Sequence, residues 1–136
     1  MNNKGFSELI KLLPKLFESE KYVSIEPKGA SMLPTIKEGD KVYLCKSGEL
    51  HKYDIVLFTK PDGKAILHRL IGKDKDGYIF RGDSQSVKEK GITPENVVAK
   101  VAFVERNGKK IKTSGFLFYL RSFVVLHLKY IKRMFS

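Results

Sequence analysis

The residues of this chain best suited to chemistry begin with Ser31, in the stretch Lys28-Gly29-Ala30-Ser31-Met32-Leu33-Pro34-Thr35-Ile36, followed closely by Gly39-Asp40. A serine in a glycine-led turn, held by a proline, can expose its hydroxyl beside free backbone N–H groups, as an acyl-transfer nucleophile requires. Most serines in turns only satisfy local backbone groups, so Ser31 needs a base within hydrogen-bond reach before it means more. His68 is the best candidate. In Ala65-Ile66-Leu67-His68-Arg69-Leu70-Ile71 the strand period puts His68 on one face with Ile66 and Leu70, away from Arg69. A lone histidine on such a face is more often a satisfied core residue than a catalyst. His51, among polar residues near a turn, and His127, near the C-terminus, are less suited. Asp83, in Arg81-Gly82-Asp83-Ser84, follows a glycine at a strand end and could orient an imidazole, although alone it would read as an ordinary turn residue. Cys45 has no histidine beside it and reads as a buried apolar residue. No cluster of His, Cys and carboxylates has metal-ligand spacing, so catalysis without a metal or other cofactor is expected.

The elements that must carry these residues fit into one domain, since 136 residues are too few for two independent cores. Residues 6 to 17 place Phe6, Leu9, Ile10, Leu13, Leu16 and Phe17 at spacings of three and four, which predicts an amphipathic helix that Pro14 should kink or restart. From Tyr22 the pattern turns to short β-like runs at 42–45, 54–59, 65–71, 78–81, 97–104 and 109–113. Pro61-Asp62-Gly63, Asp76-Gly77 and Asn107-Gly108 separate several of these and supply the positive φ of tight hairpins, so residues 22 to 113 read as a mostly antiparallel β domain. Residues 116 to 135 gather Arg121, Lys129, Lys132 and Arg133 on one side of a wheel, interrupted by Phe118 and Val125. Such a segment suits either a membrane interface or a terminal helix capping the β domain. The expected division is a helix over 1–21, a β domain over 22–114 and a basic amphipathic helix over 115–136.

Together the short motifs resemble the type I signal peptidase family, within the signal peptidase/LexA-like serine peptidases. Residues 29–36 resemble the nucleophile box, Tyr53-Asp54-Ile55-Val56 the next strand box, His68-Arg69 the base box and Gly82-Asp83 the box after it, in the family's order over roughly residues 25 to 104. The resemblance implies a mainly β fold of compact, coiled antiparallel sheets (a β-clip), with Ser31 as nucleophile, His68 as general base and Asp83 as orienting acid. Glu89 is a second candidate for the acid, and the backbone N–H of Ser31 is the expected oxyanion donor. Histidine where the common bacterial enzymes and the self-cleaving LexA-type repressors carry lysine is similar to the archaeal, endoplasmic-reticulum and SipW-like branch. Ile25 and Met32 are expected to line the substrate site, and Tyr53 and Ile55 to belong to an edge strand on which an extended peptide could add.

The implied substrate is the leader or signal peptide of an exported protein, cut by a serine endopeptidase; the alternative is an inactive or self-processing member of the same fold. No run approaches the ~20 apolar residues of a transmembrane helix. Family members usually carry an anchor ahead of the nucleophile, so peripheral attachment to an anionic membrane through the C-terminal helix, or to a membrane-anchored partner protein, is expected in its place; a cytoplasmic location is the alternative. Lys and Arg exceed Asp and Glu by 26 to 15, for a net charge of +11. That charge alone would also suit nucleic acid, but the basic residues are scattered and no RNA-binding aromatic signature accompanies them, which argues against that partner.

Overall fold

Turn chemistry organises the middle of the chain. Asn107 and Gly108 adopt φ of 54° and 76°, the paired left-handed conformation of a two-residue hairpin, and they join β7 (Val97–Arg106) to β8 (Lys109–Ile111). Between β3 (Ile55–Thr59) and β4 (Ala65–Asp74), Lys60 N–H donates to Lys64 O at 2.8 Å, and Asp62 Oδ1 accepts from Lys64 N–H at 2.9 Å. The turn at Asp76-Gly77 leads from β4 into β5 (Gly77–Arg81). The computed structural model describes residues 3–121 together with 123, 124 and 128.

Two further strands are β1 (Val23–Ile25) and β2 (Lys41–Cys45), and the eighth is β6 (Lys88–Ile92). All pairings are antiparallel, in the order β1-β2-β7-β3-β4-β5-β6, with β8 paired to the end of β7. Shifts of register between Tyr43 and Leu44, Leu57 and Phe58, Leu70 and Gly72, and Tyr78 and Phe80 bend the strands so that the sheet coils. The protein is mainly β, as its sequence pattern predicts. β1 and β6 lie outside the predicted runs. A three-residue strand leaves no periodic signal, and Lys88-Glu89-Lys90-Gly91-Ile92 offers a single large apolar residue.

β3 is central, and its alternating side chains serve two cores. Ile55 and Leu57 join Leu13, Ile25, Met32, Ile36, Val42, Leu44 and their neighbours on one side; Val56 and Phe58 join Leu70, Phe80 and Ile92 on the other. Helix α1 (Asn3–Ser19) closes the first core with Leu13, which is fully buried, and with the half-buried Phe6, Leu9, Ile10, Leu16 and Phe17. The helix runs through Pro14 as one element and does not restart there. Proline forfeits the N–H that would bond to residue 10, and the packing of Leu13, Leu16 and Phe17 on both sides of it holds the helix. Residues 116–121 are helical again. Lys129, Lys132, Arg133, Val125 and His127 lie outside the described residues. Among the described residues, no helix is long and apolar enough to cross a membrane.

Candidate active site

Ser31 sits in a turned segment between β1 and β2, closed by Leu33 N–H on Ala30 O at 3.1 Å and by Ile36 N–H on Met32 O at 2.9 Å. Met32 and Ile36, both 5% exposed, pin that segment into the first core, while Ser31 stays half-exposed. His68 lies mid-strand on β4 opposite Val56, is 4% exposed, and meets Phe58 edge-on at 6.2 Å. Both line one cavity of about 410 Å³, together with Ile25, Met32, Gln85 and Glu89.

The contact that unites the site passes through Gly82. A Cβ at that position would stand 2.5 Å from the Ser31 carbonyl oxygen and 3.1 Å from His68 Nε2, so only glycine lets the backbone pass this close to both residues. The next residues fasten the same spot: Ser84 N–H donates to Ser31 O at 3.0 Å, and Ser84 Oγ donates to Ala30 O. Ser31, His68 and the Gly82 segment, far apart in sequence, thus meet at one point.

Burial drives the His68 pKa below its ordinary 6.5, because a cation there would lose its hydration; Glu89 and then Asp83 oppose the shift, and Lys60 reinforces it. The imidazole is therefore neutral at neutral pH, the form a general base requires. Its Nε2 faces Gly82, and its buried Nδ1 has no hydrogen-bond partner among the described residues.

Asp83 does not hydrogen-bond to His68. Arg69, fully buried on the opposite face of β4, donates from Nε to Asp83 Oδ1 and from a terminal nitrogen to Oδ2, each at 2.8 Å. Thr35 Oγ1 donates to Oδ2 as well. The other terminal nitrogen of Arg69 reaches Tyr53 O at 2.9 Å and Thr113 O at 3.0 Å. The expectation that Asp83 orients the imidazole directly is thereby corrected: a bidentate guanidinium is the stronger partner, and it turns the carboxylate away from the cavity. Asp83 instead locks the loop whose neighbours Gly82 and Ser84 touch His68 and Ser31. Glu89, on the edge strand β6, lines the cavity and pairs with Lys60 at 3.6 Å.

Ile25 and Met32 line the cavity that also holds Ser31 and His68. Tyr53 and Ile55 do not. Ile55 is fully buried in the core, and β3 is hydrogen-bonded on both sides, so no peptide can add to it. Tyr53 stacks on Tyr119 at 4.6 Å, away from the cavity lining. An apolar run next to a motif gives no sign of whether the strand is an edge; among the described residues β1, β6 and β8 each pair on one side only. Sequence reading also assigned no role to Arg69, Thr35 or Ser84; the only signal was an arginine inside an otherwise apolar strand. Burial raises the Cys45 pKa, Asp54 adds to this and Lys100 opposes it, so the thiol stays protonated. Among the described residues no group of three or more His, Cys, Asp or Glu could hold a metal ion.

Comparison with known proteins bears on this geometry. The chain is 31% identical over 75 residues to signal peptidase I V of Bacillus subtilis (strain 168), an overlap covering 52% of this chain and 45% of that protein. It is 26% identical over 93 residues to signal peptidase I U of the same organism, covering 65% of this chain and 46% of that protein. It thus spans about half the length of these relatives. The family described as Peptidase S24-like matches residues 2–104, a span that takes in α1, seven strands as far as β7, and every residue that converges on Gly82. This chain is a member of the Peptidase S24-like family.

Proposed function

We propose that the protein is a serine endopeptidase of the signal peptidase I type, histidine-based, that cleaves leader or signal peptides of exported proteins at the membrane surface. The observation that carries this reading is that Ser31 and His68 line one cavity and that the Gly82 backbone passes close to both. Neutral His68 takes the Ser31 Oγ proton through Nε2 as Oγ attacks the scissile carbonyl, and later returns it to the leaving amine. The Ser31 N–H, for which no carbonyl partner occurs among the described residues, receives the oxyanion. Glu89, on the cavity wall and the largest charge favouring imidazolium, stabilises the cation that forms.

An extended substrate fits along the free edge of β1, beside Ile25, Pro27 and Gly29, in place of the β3 position. The apolar side chains of Ile25 and Met32 suit small uncharged residues before the scissile bond. Peripheral attachment agrees with the exposed apolar side chains of Leu117, Leu120, Phe123, Val124 and Leu128, and with the basic character of the C-terminal segment.

Cleavage of a leader-peptide panel on anionic vesicles tests the reading, with wild type, Ser31→Ala and His68→Ala. Each substitution should lower the rate by at least about 10³-fold. No cleavage by wild type and no labelling of Ser31 by a serine-directed phosphonate would favour the inactive member of the fold, and cleavage confined to the chain itself the self-processing one.

A further inference from the structure

Behind the segment that carries Ser31 lies a second cavity of about 270 Å³, walled by Pro34, Thr35 and Lys37 on one side and by Arg106, Lys112, Thr113 and Arg121 on the other. Among the described residues, four cationic side chains and no carboxylate line this space. Arg106 is neutralised by Asp40, which it contacts at 2.9 and 2.7 Å. Burial alone would raise the Asp40 pKa, but hydrogen bonds from Arg106 and from Lys37 N–H outweigh it and keep the carboxylate charged and committed to that pair. Lys37, Lys112 and Arg121 make no salt bridge among the described residues. A second observation points to a ligand. Thr113, 1% exposed and on the cavity wall, has a buried Oγ1 with no hydrogen-bond partner among the described residues. A buried hydroxyl left unmatched beside converging cations is costly unless an acceptor fills the space.

We infer that this cavity binds a phosphate group, held by Lys37, Lys112 and Arg121 with a hydrogen bond from Thr113. Phosphate suits the site better than a carboxylate, because a tetrahedral oxyanion offers acceptors to several donors arranged around it. Helix 116–121, which contributes Arg121 and Phe118, also carries the exposed Leu117 and Leu120, and Phe123, Val124 and Leu128 are exposed as well. A lipid headgroup is thus one source of the phosphate and free phosphate the other. Either ligand would brace the back of the nucleophile segment, since Lys37 lines both cavities and Thr35 bonds to Asp83. The inference stands apart from the peptidase reading, because binding is measured without turnover.

Equilibrium dialysis of radiolabelled inorganic phosphate against the full-length protein, with ionic strength held constant by chloride, tests it. Saturable binding to one site is expected, weakened about tenfold or more in the Lys112→Gln/Arg121→Gln double variant and several-fold in Thr113→Val. The double variant alters only exposed side chains, so it should keep the wild-type melting temperature even if Thr113→Val folds poorly. Absence of saturable binding, or binding equal in the double variant, overturns the site. Sedimentation with vesicles then identifies the source. Binding to phosphatidylglycerol but not phosphatidylcholine vesicles, competed by phosphate and lost in the double variant, assigns a lipid headgroup; phosphate binding that vesicles do not compete assigns the free anion.

Discussion

At the residue scale the site is a matter of close approach and of charge. Gly82 is required because any side chain would strike the Ser31 carbonyl, 2.5 Å from where a Cβ would stand. Gly82→Ala should therefore lower the cleavage rate by about 10²-fold or more while costing about 1–3 kcal/mol of stability, read from peptide kinetics and urea unfolding of the same preparation. His68 makes the pH behaviour specific. Its folded pKa lies below the unfolded value near 6.5, so the unfolded chain binds more protons in that interval. The stability tied to a neutral His68 is present in full above pH 6.5 and is lost as pH falls through the depressed pKa, and His68→Ala should flatten that part of a melting-temperature profile. The cleavage rate should rise with pH through the same depressed pKa. Glu89→Gln should move that midpoint to lower pH, because the glutamate charge is the largest influence favouring the imidazolium.

At the element scale the ion pair of Arg69 and Asp83 joins five pieces of chain: β4, the loop after β5, the segment between β1 and β2 through Thr35, Tyr53 shortly before β3, and the connection to helix 116–121. Both side chains are almost wholly buried, so removing one leaves an uncompensated charge inside the protein. Asp83→Ala should cost about 3–5 kcal/mol in chemical denaturation, and Arg69→Lys should not rescue the arrangement, because an ammonium cannot make the fork-shaped pair. If Asp83 acts by holding the loop, the paired apolar replacement Arg69→Met/Asp83→Leu should recover much of the stability that Asp83→Ala loses. A carboxylate engaged directly in catalysis would lose activity equally in both variants.

At the scale of the whole molecule, one sheet coils around two cores that share β3, and α1 seals the larger of them. The two cores should consequently unfold together. Leu13→Ala, at a fully buried position on α1, is expected to cost about 2–5 kcal/mol and to lower the urea midpoint of signals from both cores alike; separate transitions would show that α1 and the first core form an independent unit. Coiling of the sheet also explains the position of the cavity, where Ile25 of edge strand β1 and Glu89 of edge strand β6 line the same space.

The sequence by itself determined the mainly β character, the three hairpins and the amphipathic pattern of α1, because these rest on local rules: alternation, left-handed turn residues and helical spacing. It also marked Ser31, His68 and Gly82-Asp83 as motifs. What only the tertiary structure decided was the set of partners. Asp83 turns to Arg69 and not to His68, the strand after Tyr53 lies inside the sheet and not at its edge, and β6 exists because β5 offers it a hydrogen-bonding partner. Strand order and ion pairing are set by packing across long sequence separations. The same residue types can satisfy several such arrangements, and only burial and shape select one.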